Sequence, residues 1–385
     1  MDNLKYKTKS ICTIVSHTDH YINKNGMVVG FGPTIEEIDY LSSIFSIVYH
    51  CAPLNKNKAN ASLIEYKSKN VRFKPLISGG GSTLTKKLRH IKYYFSNFRI
   101  IKSCLKKSNI LHFRAPTGIG ILFLPWVLFF WKRGIWIKYA GSWIDNSVPL
   151  TYRFQRWLLK RFPKRAIITI NGNFECHRGN FVSLFNPCFS ISTFKLATDI
   201  AKTKTFNGKL NLLFVGRLEK EKGLDDLLSI IEEIGESNEI NSLTVIGESK
   251  TLSKYKNWAD KLPLIITFPG ILSRSEVFKY YEKSHIIILL SKTEGFPKVI
   301  IEAGAFGCVA ITSDLPQIKE TIKHEYNGFI LKSEAGLKQY LNFQSILNNR
   351  EKLKLCSKNI NIVAQNFTFE KYISKLKNAF LHKIP

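Results

Sequence analysis

Residues 285–307 read His-Ile-Ile-Ile-Leu-Leu-Ser-Lys-Thr-Glu-Gly-Phe-Pro-Lys-Val-Ile-Ile-Glu-Ala-Gly-Ala-Phe-Gly. The run His285–Leu290 is apolar and of strand length. Gly295 and Pro297 mark the turn beyond it, and helical spacing follows. The same alternation recurs around it. Near-continuous apolar strands are expected at Leu210–Val215, Leu243–Ile246, Leu264–Phe268 and Val309–Thr312, with helical segments between them. Continuous apolar strands alternating with helices indicate a parallel sheet covered on both faces. The first half repeats the pattern less cleanly, at Ser10–Val15, Ile44–His50, Asn109–Phe113, Ile135–Tyr139 and Ala166–Ile170. There Gly30, Gly32 and Pro33 mark a turn, and Thr34 with Glu37 forms a capping box for the next helix. The expected fold class is α/β, with two doubly wound domains. Asn186-Pro187 breaks the pattern between them, giving boundaries of 1–190 and 191–366. A helical segment, 367–385, follows. Ligands of such sheets bind beyond the carboxyl ends of the strands, so facing sheets would place a site in a cleft between domains.

The chain has 385 residues, more than a single core usually organises. Seven scattered cysteines without a Cys-x-x-Cys pair argue against a disulfide scaffold or a zinc ribbon and favour a reducing, cytosolic compartment. The N-terminus does not read as a secretion signal, and the longest apolar run, Ile119–Trp131, is too short to span a bilayer. The net charge is +28, and no acidic residue occurs between Glu65 and Asp145. Lys86, Lys87, Arg89, Lys92, Arg99, Lys102, Lys106 and Lys107 alternate at helical spacing with Leu88, Ile91, Phe95, Phe98, Ile101 and Leu105. Arg153, Arg156, Lys160, Arg161, Lys164 and Arg165 form a second cluster. A basic, aromatic-bearing helix suits an anionic membrane surface; the alternative is a core helix with a basic outer face. No nucleic-acid motif accompanies the charge, so nucleic acid is not expected as a partner.

Three places carry chemistry. After Leu210–Val215 the chain reads Gly216-Arg217-Leu218-Glu219-Lys220-Glu221-Lys222-Gly223. Arg217 and Lys222 at a sheet edge suit phosphate. After His285–Leu290, Pro297 is expected at the first helical position, leaving the N–H groups of Lys298 and Val299 at a positively polarised helix end that favours phosphate. Gly295 permits close approach. Glu302, among apolar neighbours, needs partners such as a ribose diol. In the first half, His112 and Arg114 share a strand face, Tyr139 ends the next strand, and Asp19 and His20 follow the first strand. These would line the first sheet's edge.

Val215-Gly216-Arg217-Leu218, Glu221-Lys222-Gly223, Val245-Ile246-Gly247, Pro269-Gly270, Glu294-Gly295-Phe296-Pro297 and Glu302-Ala303 together resemble retaining glycosyltransferases of the GT4 type, with the GT-B architecture of two Rossmann-like domains. The likeness covers about residues 210–330. It implies a nucleotide-sugar donor, UDP- or GDP-linked. Arg217 and Lys222 would hold its diphosphate, and Glu302 its ribose. Glu294 would engage the sugar with the backbone of Gly295, Phe296, Pro297, Lys298 and Val299, and Gly216 and Gly247 would line the site. His112 or Arg114 would meet the sugar from the acceptor side, and the last helix would cross back to the first domain. No resident cofactor or metal is implied. The acceptor would be a glycan or a polyprenyl-diphosphate-linked glycan, in bacterial surface polysaccharide assembly (lipopolysaccharide O-antigen or capsule) at the inner face of the membrane. The first half departs from the family in lacking a Gly-Gly-x-Glu turn, and it carries Arg114 where a second His is common. Rival readings are a glycosidase, a nucleotide-sugar epimerase of the same two-domain form, and a non-catalytic protein binding anionic lipid or nucleic acid.

Overall fold

The computed structural model describes residues 10–55, 63–78, 84–141, 143, 148–162, 166–172, 180–331 and 337–381. The side chains of Lys86, Lys87, Arg89, Lys92, Lys164, Arg165 and Cys176 lie outside that description. The chain divides into two units, one of Met1–Phe185 with Tyr372–Pro385 and one of Asn186–Lys371.

The first unit runs β1 (Ile11–Val15), β2 (His20–Ile22), β3 (Val28–Phe31), α1 (Gly32–Leu41), β4 (Ile47–Leu54), β5 (Leu63–Glu65), β6 (Val71–Ile77), α2 (Leu84–Lys106), β7 (Ile110–Ala115), α3 (Gly120–Phe130), β8 (Gly134–Tyr139), α4 (Leu150–Arg161), β9 (Ala166–Ile170) and β10 (Phe181–Ser183). Its sheet has the order β10-β9-β8-β7-β1-β4-β2-β3-β5, with β6 also paired to β4. β1, β4 and β6 wind one way from the centre; β7, β8, β9 and β10 wind the other. The reversal falls between β1 and β7.

Side-chain alternation sorts β7 onto two faces. Leu111, Phe113 and Ala115 join a core with Ile101 and Leu105 of α2, Phe123 and Val127 of α3, and Leu158 and Leu159 of α4. The opposite face meets Ile38 and Leu41 of α1 and Tyr372, Ile373 and Leu376 near the chain end. The inner stripe of α2 therefore goes into the core over its last turns, while Phe95 remains 67% exposed.

Thr34 does not cap α1. Pro33 lies in the first turn, where its missing N–H is harmless, and the helix begins at Gly32. Glu37 is consequently an interior helical residue, 1% exposed.

The second unit runs α5 (Ile191–Thr203), β11 (Leu210–Val215), a 3-10 turn at Lys220–Lys222, α6 (Leu224–Ile234), β12 (Ile240–Ile246), α7 (Leu252–Ala259), β13 (Ile265–Gly270), α8 (Arg274–Lys283), β14 (Ile286–Leu289), α9 (Lys298–Ala305), β15 (Val309–Ser313), α10 (Pro316–Lys319), β16 (Gly328–Leu331), α11 (Leu337–Asn348) and α12 (Arg350–Ala364). α13 (Phe369–Leu381) begins here and continues into the first unit from Tyr372. The six-stranded sheet is parallel, in the order β13-β12-β11-β14-β15-β16. This is the doubly wound 3-2-1-4-5-6 order, and its reversal lies between β11 and β14. Among the described residues, no helix is long and apolar enough to cross a membrane.

Candidate functional site

In the second unit the reversal point is flanked by the loops after β11 and β14, where ligands of such sheets bind. Backbone contacts draw the strand ends together. Gly216 N–H donates to the Ile246 carbonyl at 3.0 Å, and Gly247 N–H to the Gly270 carbonyl at 3.0 Å. Gly247 has φ +146°, and a Cβ there would overlap the Gly216 carbonyl. Gly223 has φ +76°, and a Cβ there would overlap the Leu290 carbonyl at the end of β14. Glycine is therefore required at both positions. Lys292 N–H donates to the Glu221 carbonyl at 2.9 Å, joining the loops directly.

These constraints bring Lys222 and Glu294 together. Lys222 Nζ lies 2.6 Å from Glu294 Oε1, with side chains 19% and 10% exposed. Ser291 Oγ donates to the same carboxylate oxygen at 2.7 Å. Arg217 leaves the same loop toward solvent and pairs with Glu219 at 3.2 Å.

The start of α9 differs by one residue from expectation. Pro297 is its N-cap, with φ −80° and ψ 83°, and Lys298 N–H donates to the Phe296 carbonyl at 3.0 Å. This is an inverse γ-turn. The Lys298 N–H expected at the helix end is thus taken by the turn. Gly295 is exposed and Val299 half-buried, while Phe296 stacks on Phe367 with ring centres 5.5 Å apart.

Glu302 is buried, as its apolar surroundings suggested, and protein groups satisfy it. Arg274 Nη2 donates to Oε1 at 2.8 Å, and Tyr281 OH to Oε2 at 3.4 Å. Burial and the Glu302 charge both push the Tyr281 phenol up. Arg274 opens α8 beneath a Ser273/Glu276 capping box and lies over Phe278 at 5.2 Å. Neither Arg274 nor Tyr281 stood out in the sequence. The four-residue capping box Ser273-Arg274-Ser275-Glu276 was the available signal.

In the first unit the reversal point lies between the ends of β1 and β7. On the β4 side of β1, four residues form a hydrogen-bonded chain. His20 Nδ1 meets the Thr18 carbonyl at 2.8 Å, His20 Nε2 meets Tyr66 OH at 2.8 Å, His50 Nδ1 meets Tyr66 OH at 2.5 Å, and His50 Nε2 meets Ser16 Oγ at 2.8 Å. A carbonyl only accepts, so His20 carries its proton on Nδ1 and accepts at Nε2 from Tyr66. Tyr66 then accepts from His50 Nδ1–H, and His50 Nε2 accepts the Ser16 proton. Every direction follows from the Thr18 end. Burial lowers His20 to about 4 and His50 well below its ordinary range, the latter helped by the Arg114 charge, so both rings are neutral at pH 7. Tyr66 also lines a hollow of about 500 Å³ with Asn23, Val29 and Glu65.

Beside this chain, Glu37 Oε1 receives Lys138 Nζ at 2.5 Å and Tyr372 OH at 2.9 Å, and Oε2 lies 3.2 Å from Arg114 Nη1. Arg114 thus has a buried partner from α1. His112, on the same strand face, is 0% exposed and lies against Trp136 with ring centres 3.5 Å apart. Its ring nitrogens make no hydrogen bond of ordinary geometry among the described residues. Burial, then the Arg114 charge, hold it well below the usual histidine range. Tyr139 is buried against Trp143, and burial raises it to about 12. Asp19 is exposed and His20 buried. Among the described residues, no cluster of His, Cys, Asp and Glu could hold a metal ion.

Residues 197–363 match the family described as glycosyl transferases group 1. An uncharacterized glycosyltransferase of Haemophilus influenzae is 29% identical over 199 residues, covering 51% of this chain and 54% of that protein. The alpha-galactosylglucosyldiacylglycerol synthase of Streptococcus pneumoniae is 25% identical over 274 residues, covering 69% of this chain and 70% of that one. Among solved structures, Anabaena HepE in complex with UDP and glucose superposes with a TM-score of 0.69 at 12% identity, covering 97% of this chain and 100% of that chain.

Proposed function

We propose that this chain, a group 1 glycosyltransferase by residues 197–363 and of GT-B fold, transfers a sugar from a nucleotide-sugar donor to a hydroxyl of a glycan or polyprenyl-diphosphate-linked glycan. The observation that carries the reading is the joined pair of loops at the β11/β14 reversal, with Lys222 and Glu294 in contact between them. Charge develops on the departing diphosphate as the sugar approaches an oxocarbenium-like state. Lys222 is a fixed cation for it, and Arg217 exchanges an exposed contact with Glu219, of little energetic value, for a phosphate. Glu294, held by Ser291 and Lys222, faces the sugar. Glu302, oriented by Arg274, takes the ribose. Transfer proceeds with retention and without a metal, the leaving phosphate accepting the acceptor proton.

The UDP in the HepE structure supports a UDP-sugar, and the glycolipid named for the pneumococcal relative supports an acceptor at a membrane. The setting we propose is bacterial surface polysaccharide assembly at the inner face of the membrane, with the basic first unit against anionic lipid. A thermal-shift series with UDP-, GDP- and ADP-sugars tests the donor. A ligand at 100 times its Kd adds ~2.7 kcal/mol. A raised melting temperature with one of them, and product only when acceptor is added, is expected. No shift with any of them overturns the reading, and donor turnover without acceptor makes the chain an epimerase.

A further inference from the structure

We propose that the outward face formed by α3, α4 and Phe162 is the surface that seats this protein on an anionic lipid bilayer. The inference deepens the membrane reading above and rests on it. α3 carries no charged residue from Gly120 to Phe130. One side buries Phe123, Leu124, Val127 and Leu128; the other leaves Leu122, Phe129 and Phe130 exposed by 54%, 51% and 69%. A helix apolar on all sides is ordinarily covered on all sides. α4 is inverted. It buries Gln155 and Arg156 beside Leu158 and Leu159, and turns Leu150, Phe154 and Trp157 outward at spacings of four and three.

The two helices make one patch. Phe154 meets Trp157, Trp157 meets Phe162, and Phe162 meets Phe129, with ring centres 6.0, 6.1 and 5.1 Å apart. Contiguous exposed apolar surface of this kind marks an interaction site.

The rim identifies the occupant. Lys132, just past Phe130, and Arg153 and Arg161 of α4 are exposed, and Arg161 lies over Phe162 at 5.8 Å. Residues 66–174 hold 22 Lys and Arg against one acid, Asp145, which lies outside the described residues. A second copy of the chain would bring a like-charged rim against this one. An anionic bilayer offers apolar depth for the rings and phosphates for the rim, and aromatic side chains favour that interface.

The test is sedimentation of the full-length protein with phosphatidylglycerol/phosphatidylcholine vesicles, and with phosphatidylcholine alone. Three pairs are compared with wild type: Phe130→Ser with Trp157→Ser, Arg153→Gln with Arg161→Gln, and Lys102→Gln with Lys106→Gln on α2. The wild type is expected to bind the anionic vesicles, and the first two pairs to bind at least about tenfold more weakly. Nucleotide-induced thermal shift should be unchanged in both, showing an intact fold. The α2 pair should bind more nearly as wild type. If the patch pairs bind normally and the α2 pair does not, the membrane reading stands and this surface is wrong. If the wild type ignores anionic vesicles while transferring sugar, the membrane reading fails and the transferase reading survives. If it is instead a dimer that the Phe130/Trp157 pair disperses, the occupant is a second copy and the proposal is overturned.

Discussion

Acidification from pH 7 to pH 5 should destabilise the first unit by about 2 kcal/mol through His20 alone. His20 is 0% exposed, and burial lowers it from 6.5 to about 4. Each pH unit of that difference corresponds to ~1.36 kcal/mol, so the full effect is roughly 3 kcal/mol. The unfolded chain takes up this proton near pH 6.5, while the folded chain resists it until about pH 4. Stability therefore falls as pH drops through that window and levels off beneath it. His50 and His112 are also buried and lowered, so they add with the same sign. The hydrogen-bonded chain supplies a structural reason beside burial: a proton on His20 Nε2 removes the acceptor that the Tyr66 hydroxyl uses in it. Urea unfolding followed by tryptophan fluorescence reads this unit, because Trp126, Trp131, Trp136, Trp143 and Trp157 lie in it against Trp258 in the other. A midpoint that moves down at pH 5 with an unchanged slope is expected. Equal midpoints at the two pH values would refute the assignment of neutral, buried rings.

Arg274→Ala should lower stability by about 3 kcal/mol because it leaves the Glu302 carboxylate buried without its cation, and Glu302→Gln on that background should recover part of the loss; thermal unfolding of the single and double variants measures both. Glu37→Gln should cost a similar amount, about 3 kcal/mol, since Arg114 and Lys138 then share a buried site without a negative partner. An unaltered melting temperature would mean that water already compensates those charges.

The second unit was the more legible one. Its strands are near-continuous apolar runs, such as Leu210–Val215 and Val309–Ser313, and continuous βα alternation leaves few possible topologies. Strand ends moved by a residue or more, as at β12, where Ile240 and Ser242 join the ladder across a register shift at the polar Asn241. The first unit hid more. β2, β3 and β5 are three or four residues long, too short for periodicity to register, and β6 carries Arg72, Lys74 and Pro75 in an otherwise regular ladder.

Of the candidate site, the loops after β11 and β14 were readable because glycine, proline and charge mark them within a few residues. The contact of Lys222 with Glu294 required the fold to bring positions 72 apart in sequence together. Ser16, His50 and Tyr66 gave no signal, since no motif spacing links them to His20. Thr34-x-x-Glu37 matches the local pattern of a capping box with Thr34 as the cap, whereas Pro33 and the cations on β7 and β8 decide the place of Glu37.

The central claim is that the Lys222 loop and the Glu294 loop together receive a nucleotide diphosphate. Calorimetric titration of the nucleoside diphosphate selected by the thermal-shift series, alongside its nucleoside, into the wild type and Lys222→Ala tests it most directly. A charge-assisted contact contributes about 1.5–3 kcal/mol, so the variant should bind the diphosphate roughly 10- to 100-fold more weakly and the nucleoside equally. Equal affinity of both proteins for the diphosphate would contradict the account.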